Sequence, residues 1–238
     1  MFKHFNRVIL AILFVQCISV ISYAQKQKLE AVDLGLSVKW ANMNVGASSP
    51  TEYGGYYAWG EVQEKRFYYF IISSQHIKVK IEGNGDIKNS TAANEILKYS
   101  NADNKIILDL EDDVANKTFG KTWRIPTVAQ MQELIDKCDW TATTVNGSKG
   151  FLVKSRVNSN SIFLPLAGYK TGHETKGSIR EYCSTQAYYW TSSLVENADA
   201  LNSHALFIHK TELKGDVGGF SLMPFHRTNG CVVRPVCY

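Results

Sequence analysis

The stretch from Trp123 to Cys138 constrains the fold more than any other part of the chain. Thr127 and Gln130 form a T-x-x-Q capping box, and Pro126 just before it keeps the entering chain out of helical geometry. A helix is therefore predicted to begin after Thr127. Apolar residues then recur at spacings of three and four, which indicates one buried stripe on that helix: Val128, Met131, Leu134, Ile135 and Cys138.

Residues 1–24 have the pattern of a secretory signal peptide. Two basic residues, Lys3 and Arg7, precede an apolar run at 8–15, and Ser22-Tyr23-Ala24 offers a small-x-small cleavage site. We therefore expect an exported protein, in the periplasm, at the cell surface or secreted, whose residues 25–238 form a single domain. No later segment approaches the roughly 20 apolar residues of a membrane-spanning helix, so no membrane span is expected after cleavage.

The charge of the chain argues against nucleic acid as a partner. Loss of Lys3 and Arg7 with the signal segment reduces the 26 Lys and Arg to 24, against 22 Asp and Glu. No dense basic stripe accompanies this nearly neutral balance, whereas nucleic-acid-binding domains concentrate Lys and Arg on one face.

Four cysteines remain after the signal segment: Cys138, Cys183, Cys231 and Cys237. In an oxidising compartment, two disulfides among them allow three pairings, and the sequence does not choose between these. Free, buried thiols are also a valid interpretation, because a chain of this length does not need disulfides to complete its core.

A second helix is predicted from Leu110 to Thr118. Asp109 is placed to cap it, residues 111–113 are all acidic, which suits the dipole of a first turn, and Gly120 lies near its end. This carboxylate cluster is also a candidate calcium site, but no regularly spaced loop of oxygen ligands accompanies it. We therefore interpret the cluster as charge matched to the helix dipole.

The rest of the chain has the alternation and turn signals of β-strands. Before the helices, a strand signal at 67–81 ends in a predicted turn at 83–86. After them, segments 140–145 and 150–156 indicate a hairpin whose Asn146-Gly147 turn is slightly longer than two residues. Further strands are predicted at 161–167, 188–194, 203–210, 219–223 and 231–236. The fold class is therefore α+β, with two helices and mainly antiparallel strands.

Six segments follow one another along the chain: VDLGLSVKWA at 32–41, GGYYAWGE at 54–61, EDDVA at 111–115, WRIPT at 123–127, YWTSS at 189–193 and VRPV at 233–236. Together they resemble the Fibrobacter succinogenes major paralogous domain, a family of exported bacterial proteins akin to C-type-lectin-like and formylglycine-generating-enzyme-like folds. The resemblance implies a C-type-lectin-like domain with two helices, a sheet that joins both chain ends, and long loops that carry a binding surface. Residues 62–105 are then an insertion into that domain.

The chain departs from two groups of proteins with that fold. It lacks the Glu-Pro-Asn, Gln-Pro-Asp and Trp-Asn-Asp stretches of calcium-dependent lectins, so calcium-dependent sugar binding and a metal site are not expected. It also lacks the Arg-Gly-Gly-Ser-Trp run of the formylglycine-generating enzymes, whose late cysteine pair invites comparison with Cys231 and Cys237. A cysteine-dependent oxidase is kept only as an alternative, and no cofactor is predicted.

Signatures of common catalytic sites are missing from the sequence. There is no G-x-S-x-G nucleophile motif and no glycine-rich phosphate loop. The histidines show no H-E-x-x-H or similar metal-ligand spacing: His76, His173, His204, His209 and His226. A glycosidase stays an alternative, because the sequence does not place the candidate acids relative to one another: Glu61, Glu133, Glu174 and Glu181.

Three regions are candidates for a binding surface: the loop 169–187, the strand start 188–190 and the segment 225–229. They combine aromatic area with directional hydrogen bonds, which suits sugar rings or protein partners. The ligand-binding candidates are Tyr188, Trp190, Arg227 and Asn229, although a tryptophan in a central strand is expected to pack in the core. Structural roles are assigned to Trp123, Arg124, Pro126, Thr127 and Arg234.

We therefore expect an exported binding module without catalysis, whose partner is a surface glycan or a protein. The expectation rests on the signal peptide, the order of the family-like segments and the missing catalytic motifs. The alternative from another class is a structural component of a surface complex.

Overall fold

The computed structural model describes residues 28–68, 74–82, 91–100, 102–120, 122–172, 179–196, 200–209 and 219–238. The predicted signal peptide, the predicted turn at 83–86, His173 and Glu174 lie outside these ranges. Within them, two α-helices and several mostly antiparallel sheets confirm the α+β class. Neither helix of the described chain is long and apolar enough to cross a membrane.

The first helical region differs from the single helix predicted from Leu110 to Thr118. It consists of a 3-10 turn, Leu110–Asp112, followed by a short helix α1, Val114–Phe119. The prediction that Asp109 caps the helix was wrong, because its side chain makes no capping hydrogen bond and Asp113 is the cap residue.

The Asp113 carboxylate explains why the two helical pieces are separate. One oxygen accepts hydrogen bonds from the backbone N–H groups of Ala115 (2.9 Å) and Asn116 (3.1 Å), as an N-cap does. The other oxygen accepts from the N–H of Ile125 at 2.8 Å. Asp113 is thereby held in an extended conformation, which ends the 3-10 turn before the helix begins.

The second helix, α2, is the one predicted after Thr127, and it spans Val128–Lys137. Its capping box is present: Thr127 Oγ1 accepts from the N–H of Gln130 (3.2 Å), and Gln130 Oε1 accepts from the N–H of Thr127 (2.9 Å). Met131 and Leu134 of the predicted apolar stripe are buried. The predicted start and buried face of this helix are confirmed, but Cys138 was wrongly placed in it, because the helix ends at Lys137 and Cys138 begins a strand.

In the described parts of the chain, five strands precede α2 and nine follow it. The first five are β1 (Ala31–Val32), β2 (Lys39–Ala41), β3 (Ile77–Glu82), β4 (Thr91–Ile96) and β5 (Trp123–Arg124). The others are β6 (Cys138–Val145), β7 (Ser148–Ser155), β8 (Ser161–Pro165), β9 (Tyr169–Thr171), β10 (Ile179–Glu181), β11 (Gln186–Leu194), β12 (Asn202–His209), β13 (Gly219–His226) and β14 (Val236–Cys237). The antiparallel hairpin β3–β4 lies within the segment 62–105 that was predicted to be an insertion.

Two antiparallel meanders of three strands each form most of the sheet structure. In the first, β6-β7-β8, the turn between β6 and β7 consists of Asn146 and Gly147, with φ of 48° and 80°. Two residues with positive φ close a two-residue hairpin, so the prediction of a slightly longer turn was wrong. The second meander, β11-β12-β13, pairs Tyr188 with Phe207 and Ser203 with Phe225.

A four-stranded sheet joins the two ends of the described chain, in the order β1-β2-β14-β5. Val236 of β14 pairs with Trp40 of β2 on one side and with Arg124 of β5 on the other. The WRIPT motif is therefore tied to the C-terminal strand by backbone pairing.

The second meander lies between two apolar clusters. Met131 and Leu134 of α2 pack against Leu206 in the larger cluster. A smaller cluster around Trp59 and Trp190 lies on the opposite face of the same strands. The two faces of this meander therefore have different environments. The candidate site lies on the face opposite the larger cluster.

Candidate functional site

Alternation along β11 and β12 sends neighbouring side chains to opposite faces of the second meander. Tyr189 and Leu206 point into the larger cluster, whereas Tyr188 and Phe207 point to the opposite face. At one end of that opposite face, the indole Nε1 of Trp59 donates to a β11 carbonyl at 2.8 Å, and the end is closed. The other end carries a group of aromatic rings.

Six aromatic rings gather at the other end, and we call them the aromatic surface: Tyr169, Tyr182, Tyr188, Phe207, His209 and Phe225. Tyr188 is central, stacked on Phe225 with ring centroids 4.3 Å apart and tilted against Phe207 at 5.0 Å. Tyr169 meets Tyr188 at 5.0 Å and Phe225 at 5.1 Å, both edge-on. Contacts of this kind stabilise the rings and hold their orientation.

Two rings extend the aromatic surface at its ends. Tyr182 stacks on Tyr169 at 6.0 Å, and His209 stacks on Phe207 at 5.3 Å. Tyr182 is 53% exposed, and its φ of 57° is a left-handed conformation that few residues other than glycine adopt. Its carbonyl accepts from the N–H of Gln186 at 2.9 Å, so a hydrogen-bonded turn holds this exposed ring.

The aromatic surface is partly open to solvent. Tyr169, Phe207, Phe225 and His209 are half-buried, and Tyr188 is largely covered by them. Burial, with a smaller contribution from nearby Tyr169, raises the pKa of Tyr188 to about 12. Burial also raises the pKa of Tyr169. Both phenols therefore keep their protons at neutral pH and can donate hydrogen bonds.

Of the predicted ligand-binding residues, Tyr188 belongs to the aromatic surface and Trp190 does not. Trp190 is buried at the closed end of the same face, and its Nε1 donates to the carbonyl oxygen of Tyr57 at 2.7 Å. A ligand in solution does not reach this ring. Its packing agrees with the expectation for a tryptophan in a central strand.

Arg227 lies in the core, although the sequence suggested a turn open to ligands. Its guanidinium donates to the carbonyl oxygens of Tyr99 (3.1 Å), Ala200 (2.8 Å) and Lys98 (3.2 Å), and it lies 4.6 Å from the ring centroid of Trp59. Burial lowers the pKa of Arg227 to about 10, so the group is still charged at neutral pH. These contacts hold distant segments together and leave Arg227 inaccessible to a ligand.

Asn229 is the predicted candidate that stays accessible. It is half-buried in the turn after β13, and its backbone N–H donates to His226 at 3.0 Å. The next residue, Gly230, exchanges backbone hydrogen bonds with Lys170 at 2.7 and 2.8 Å, one position from Tyr169. The backbone pairing of Gly230 thus places Asn229 at the border of the aromatic surface, in a half-buried position.

The residues with predicted structural roles lie at the junction of α2 and the two sheets. Trp123 and Arg124 form β5, and Thr127 caps α2. Pro126 is buried, and its carbonyl accepts from the N–H of Ser192 in β11 at 2.8 Å. The motif therefore positions α2 against the second meander.

Arg234 is fully buried just before β14. Its guanidinium donates to Asn44 Oδ1 (2.8 Å) and to the carbonyl oxygens of Ala41 (3.0 Å) and Phe163 (2.8 Å). Burial lowers the pKa of Arg234 to about 10, against a weaker opposing effect of Tyr189. Each contact of the guanidinium is to the protein itself, which fits a structural anchor.

The acidic cluster that was considered for calcium is an ion-pair network. Oxygens of Asp109, Glu111 and Asp112 lie within 4.8 Å of one another. The ammonium of Lys98 occupies the position between them, 2.8 Å from Asp109, 2.8 Å from Glu111 and 2.6 Å from Asp112. Burial lowers the pKa of Lys98, but hydrogen bonds to the carboxylates outweigh burial and raise it. A lysine thus fills the position that a metal ion would need.

Four of the residues considered for catalysis are in structural positions: Cys231, Cys237, Glu61 and Glu133. The four cysteines of the described residues are free thiols. Burial raises the pKa of Cys231 and of Cys237, and a protonated thiol is a poor nucleophile. Glu61 accepts from Lys65 at 2.9 Å, and Glu133 accepts from the N–H of Ser37 at 3.0 Å.

The structure brings the three predicted binding regions together. Tyr169 and Tyr182 come from the first region, Tyr188 from the second and Phe225 from the third. Sequence reasoning missed the contribution of β12, whose Phe207 shares a face with Tyr188. The alternation in β12 was a usable signal for that shared face.

Comparison with known proteins does not place the chain in a family. No family model, no curated protein and no solved structure matches it. The interpretation of the aromatic surface therefore depends on its geometry.

Proposed function

We propose that the chain is an exported, non-catalytic binding module that recognises carbohydrate chains on the aromatic surface. In this proposal residues 25–238 form a C-type-lectin-like domain similar to the Fibrobacter succinogenes major paralogous domain. The observation that carries the proposal is the group of half-exposed rings around Tyr188.

Aromatic rings suit sugars because one face of a pyranose ring carries C–H bonds with a slight positive charge. These C–H bonds pack on the negative face of an aromatic ring. Tyr182, Phe207 and Phe225 offer ring area whose orientation is already held by neighbouring rings. Little side-chain entropy is then lost when a ligand binds, which favours affinity.

Hydrogen-bonding groups at the edge of the aromatic surface give direction to such binding. The phenols of Tyr169 and Tyr182 and the side-chain amide of Asn229 are donors and acceptors that match sugar hydroxyls. Recognition of this kind does not require a calcium ion. It is therefore compatible with the missing lectin calcium motifs and with Lys98 in the acidic cluster.

The described side chains at the aromatic surface do not supply the acid pair of a glycosidase. Glycoside hydrolysis uses two carboxyl groups separated by about 5–10 Å across the scissile bond. None of the six residues of the aromatic surface carries a carboxyl group, and Glu61 and Glu133 are engaged elsewhere. Glu181, which pairs with Tyr169 in the β9–β10 ladder, places one carboxyl group beside the surface, whereas hydrolysis needs two. Binding without turnover is the activity that these side chains support.

A glycan array probed with labelled residues 25–238 tests the proposal. Tyr182→Ala and Phe207→Ala each remove one ring from the aromatic surface, and Tyr238→Ala removes an exposed ring elsewhere as the matched control. We expect array signals to fall about tenfold or more in the first two variants, because each loses an aromatic ring that contacts the ligand. The signal of Tyr238→Ala is expected to match that of the parent chain.

Two outcomes would contradict the proposal. If both ring variants keep their signals, the glycan site lies elsewhere on the molecule. If the folded parent chain binds no glycan on the array, carbohydrate is the wrong ligand class. Circular dichroism of each variant separates these outcomes from a failure to fold.

A further inference from the structure

Exposed aliphatic side chains concentrate in one short part of the chain. Seven large apolar side chains are exposed among the described residues, and four of them fall between residues 97 and 110. We call these four the aliphatic patch: Leu97 (55% exposed), Ile106 (45%), Ile107 (42%) and Leu110 (51%). Single exposed apolar residues are ordinary on protein surfaces, but a group of them typically marks an interaction site.

Two sets of contacts bring the members of the aliphatic patch together. The Lys98 ammonium binds Asp109 and Glu111, which flank Leu110, so the segments that carry Leu97 and Leu110 lie side by side. Segment 106–108 runs beside the end of β11, since Leu194 N–H donates to Ile106 at 2.8 Å and Leu108 N–H donates to Ser192 at 3.0 Å. The patch is therefore continuous with an edge of the second meander.

The backbone of Ile107 is open at this edge. Ile107 pairs with Ser193 as an antiparallel bridge, and the hydrogen bonds of that bridge come from the residues on either side. In this arrangement the N–H and C=O of Ile107 point away from β11. No hydrogen bond joins either group to another described residue, so both are available to an added strand.

The surroundings of the aliphatic patch carry excess negative charge. Four carboxylates, Asp103, Asp109, Glu111 and Asp112, lie around it with three cations, Lys98, Lys105 and the buried Arg227. Glu111 is the most accessible, with 67% of its side chain exposed. A positively charged partner is therefore attracted to this region.

We propose that the aliphatic patch docks an extended segment of a partner protein, in which apolar residues alternate and at least one Lys or Arg lies at an end. The segment adds a short strand beside Ile107, its apolar side chains cover Leu97 and Leu110, and its basic residue pairs with Glu111. Strand addition of this kind takes affinity from backbone hydrogen bonds and specificity from side chains.

A second copy of this chain fits the patch less well than such a partner. Two-fold pairing at Ile107 brings the same surface of both copies together, including both sets of carboxylates. Like charges in close contact oppose that association.

The aliphatic patch is independent of the proposed glycan site. Tyr188 and Leu194 are six residues apart in β11, a separation of about 20 Å along a strand. A partner segment at the patch therefore leaves the aromatic surface free. Its role is to attach the binding module to another protein, whichever ligand the aromatic surface binds.

Selection from a phage library of random nine-residue peptides tests the inference with residues 25–238 as the target. Selected peptides are expected to show alternating apolar residues and a basic residue. Their affinity, measured by titration, is expected to fall about tenfold or more in Leu110→Lys, because that change removes apolar contact and adds repulsion. Ile107→Pro is expected to weaken binding similarly, because it removes the open N–H. Val157→Lys, at an exposed apolar residue elsewhere, is the matched control and is expected to bind normally.

Other outcomes overturn the inference. The inference is wrong if the selection enriches no peptides, or if the enriched peptides lack basic residues. It is also wrong if the peptides bind the parent chain and Leu110→Lys with equal affinity. Sedimentation of the chain alone provides a further test, because a dimer that Leu110→Lys dissociates would identify a second copy as the occupant. Leu110 is exposed, so its substitution keeps the test valid if Ile107→Pro fails to fold.

Discussion

Tyr188 and Tyr189 are neighbours in β11, yet their side chains lie on opposite faces of the second meander, in two different environments. Tyr189 is fully buried in the larger core, and its hydroxyl donates to the carbonyl oxygen of Pro165 at 2.8 Å. Tyr188 faces the other way, stacks on Phe225, and its hydroxyl reaches Gln186 at 3.4 Å, long for an O–H donor. Tyr189 is part of the core. Tyr188 belongs to the aromatic surface, and its hydroxyl has only a weak hydrogen bond within the protein.

The difference arises from what covers each face of the second meander. Met131 and Leu134 of α2 pack across the core face. On the opposite face, Trp59 and its neighbours cover the end near Trp190 and leave the end near Tyr188 to the aromatic surface. Substitutions on the covered parts should therefore change stability, and substitutions on the open part should change binding.

The largest loss of stability is expected for Arg227→Ala, at the covered end. The change leaves the carbonyl oxygens of Tyr99, Ala200 and Lys98 without a buried donor, which lowers the free energy of unfolding by about 3 kcal/mol or more. Urea denaturation measures this loss. Glycan binding per folded molecule should be unchanged. Full stability with lost binding would instead make Arg227 a ligand-binding residue.

Leu206→Ala and Phe207→Ala compare the two faces directly, since the residues are adjacent in β12. Leu206→Ala should lower the free energy of unfolding by about 3 kcal/mol, because it leaves a cavity in the core. Phe207→Ala should lower it by about 1 kcal/mol, because that ring is only half-buried. Glycan affinity should fall more in Phe207→Ala than in Leu206→Ala. Equal losses of stability would mean that the open face is covered in solution.

Asp112→Asn is expected to reduce the dependence of stability on pH. Burial raises the pKa of Asp112, but hydrogen bonds from Lys98 and Tyr99 outweigh burial and lower it below the usual carboxyl value. Such a carboxyl stabilises the fold above its unfolded-state pKa of about 4, and the contribution is lost as pH falls through the folded-state pKa.

Denaturation curves at pH 7 and below pH 4 test this expectation. At pH 7 the variant should be less stable than the parent chain by about 2 kcal/mol, and the difference should shrink in acid. Glu111→Gln, at an exposed carboxylate of the same cluster, is the control and should change stability little. A difference that grows in acid would have the wrong sign for a carboxyl with a lowered pKa.

Thr127→Ala has the smallest expected effect, because it weakens only the start of the helix that covers the core face. Loss of the hydrogen bond to the Gln130 N–H should cost about 1 kcal/mol of stability. Thermal unfolding measures this cost, with Thr141→Ala at an exposed strand position as the control. Glycan affinity should not change, and a large loss of affinity would show that α2 controls the open face.

The elements with strong local signals could be predicted from the sequence. The capping box of α2 and the Asn146-Gly147 hairpin each depend on a few neighbouring residues, and both are present. The region 109–119 was harder to predict, because the second oxygen of the Asp113 carboxylate accepts a hydrogen bond from the N–H of Ile125. That contact depends on tertiary packing and has no local signature.

The candidate site could be predicted by region but not by residue. Arg227 was predicted to be accessible because it lies in a turn before the last strand, yet its partners Ala200 and Tyr99 are 27 and 128 positions away. Trp190 and Tyr188 have the same parity in β11, and only the packing of Trp59 separates a covered ring from an open one. Alternation predicts which side chains share a face, but it does not predict which part of that face is covered.

The most direct test of the account is an NMR titration of the chain, labelled at its aromatic rings, with a panel of soluble oligosaccharides. The account predicts chemical-shift changes at Tyr169, Tyr182 and Phe207, and none at Tyr189, with at least one oligosaccharide. Shift changes confined to rings outside the aromatic surface, or none with any oligosaccharide, would contradict it.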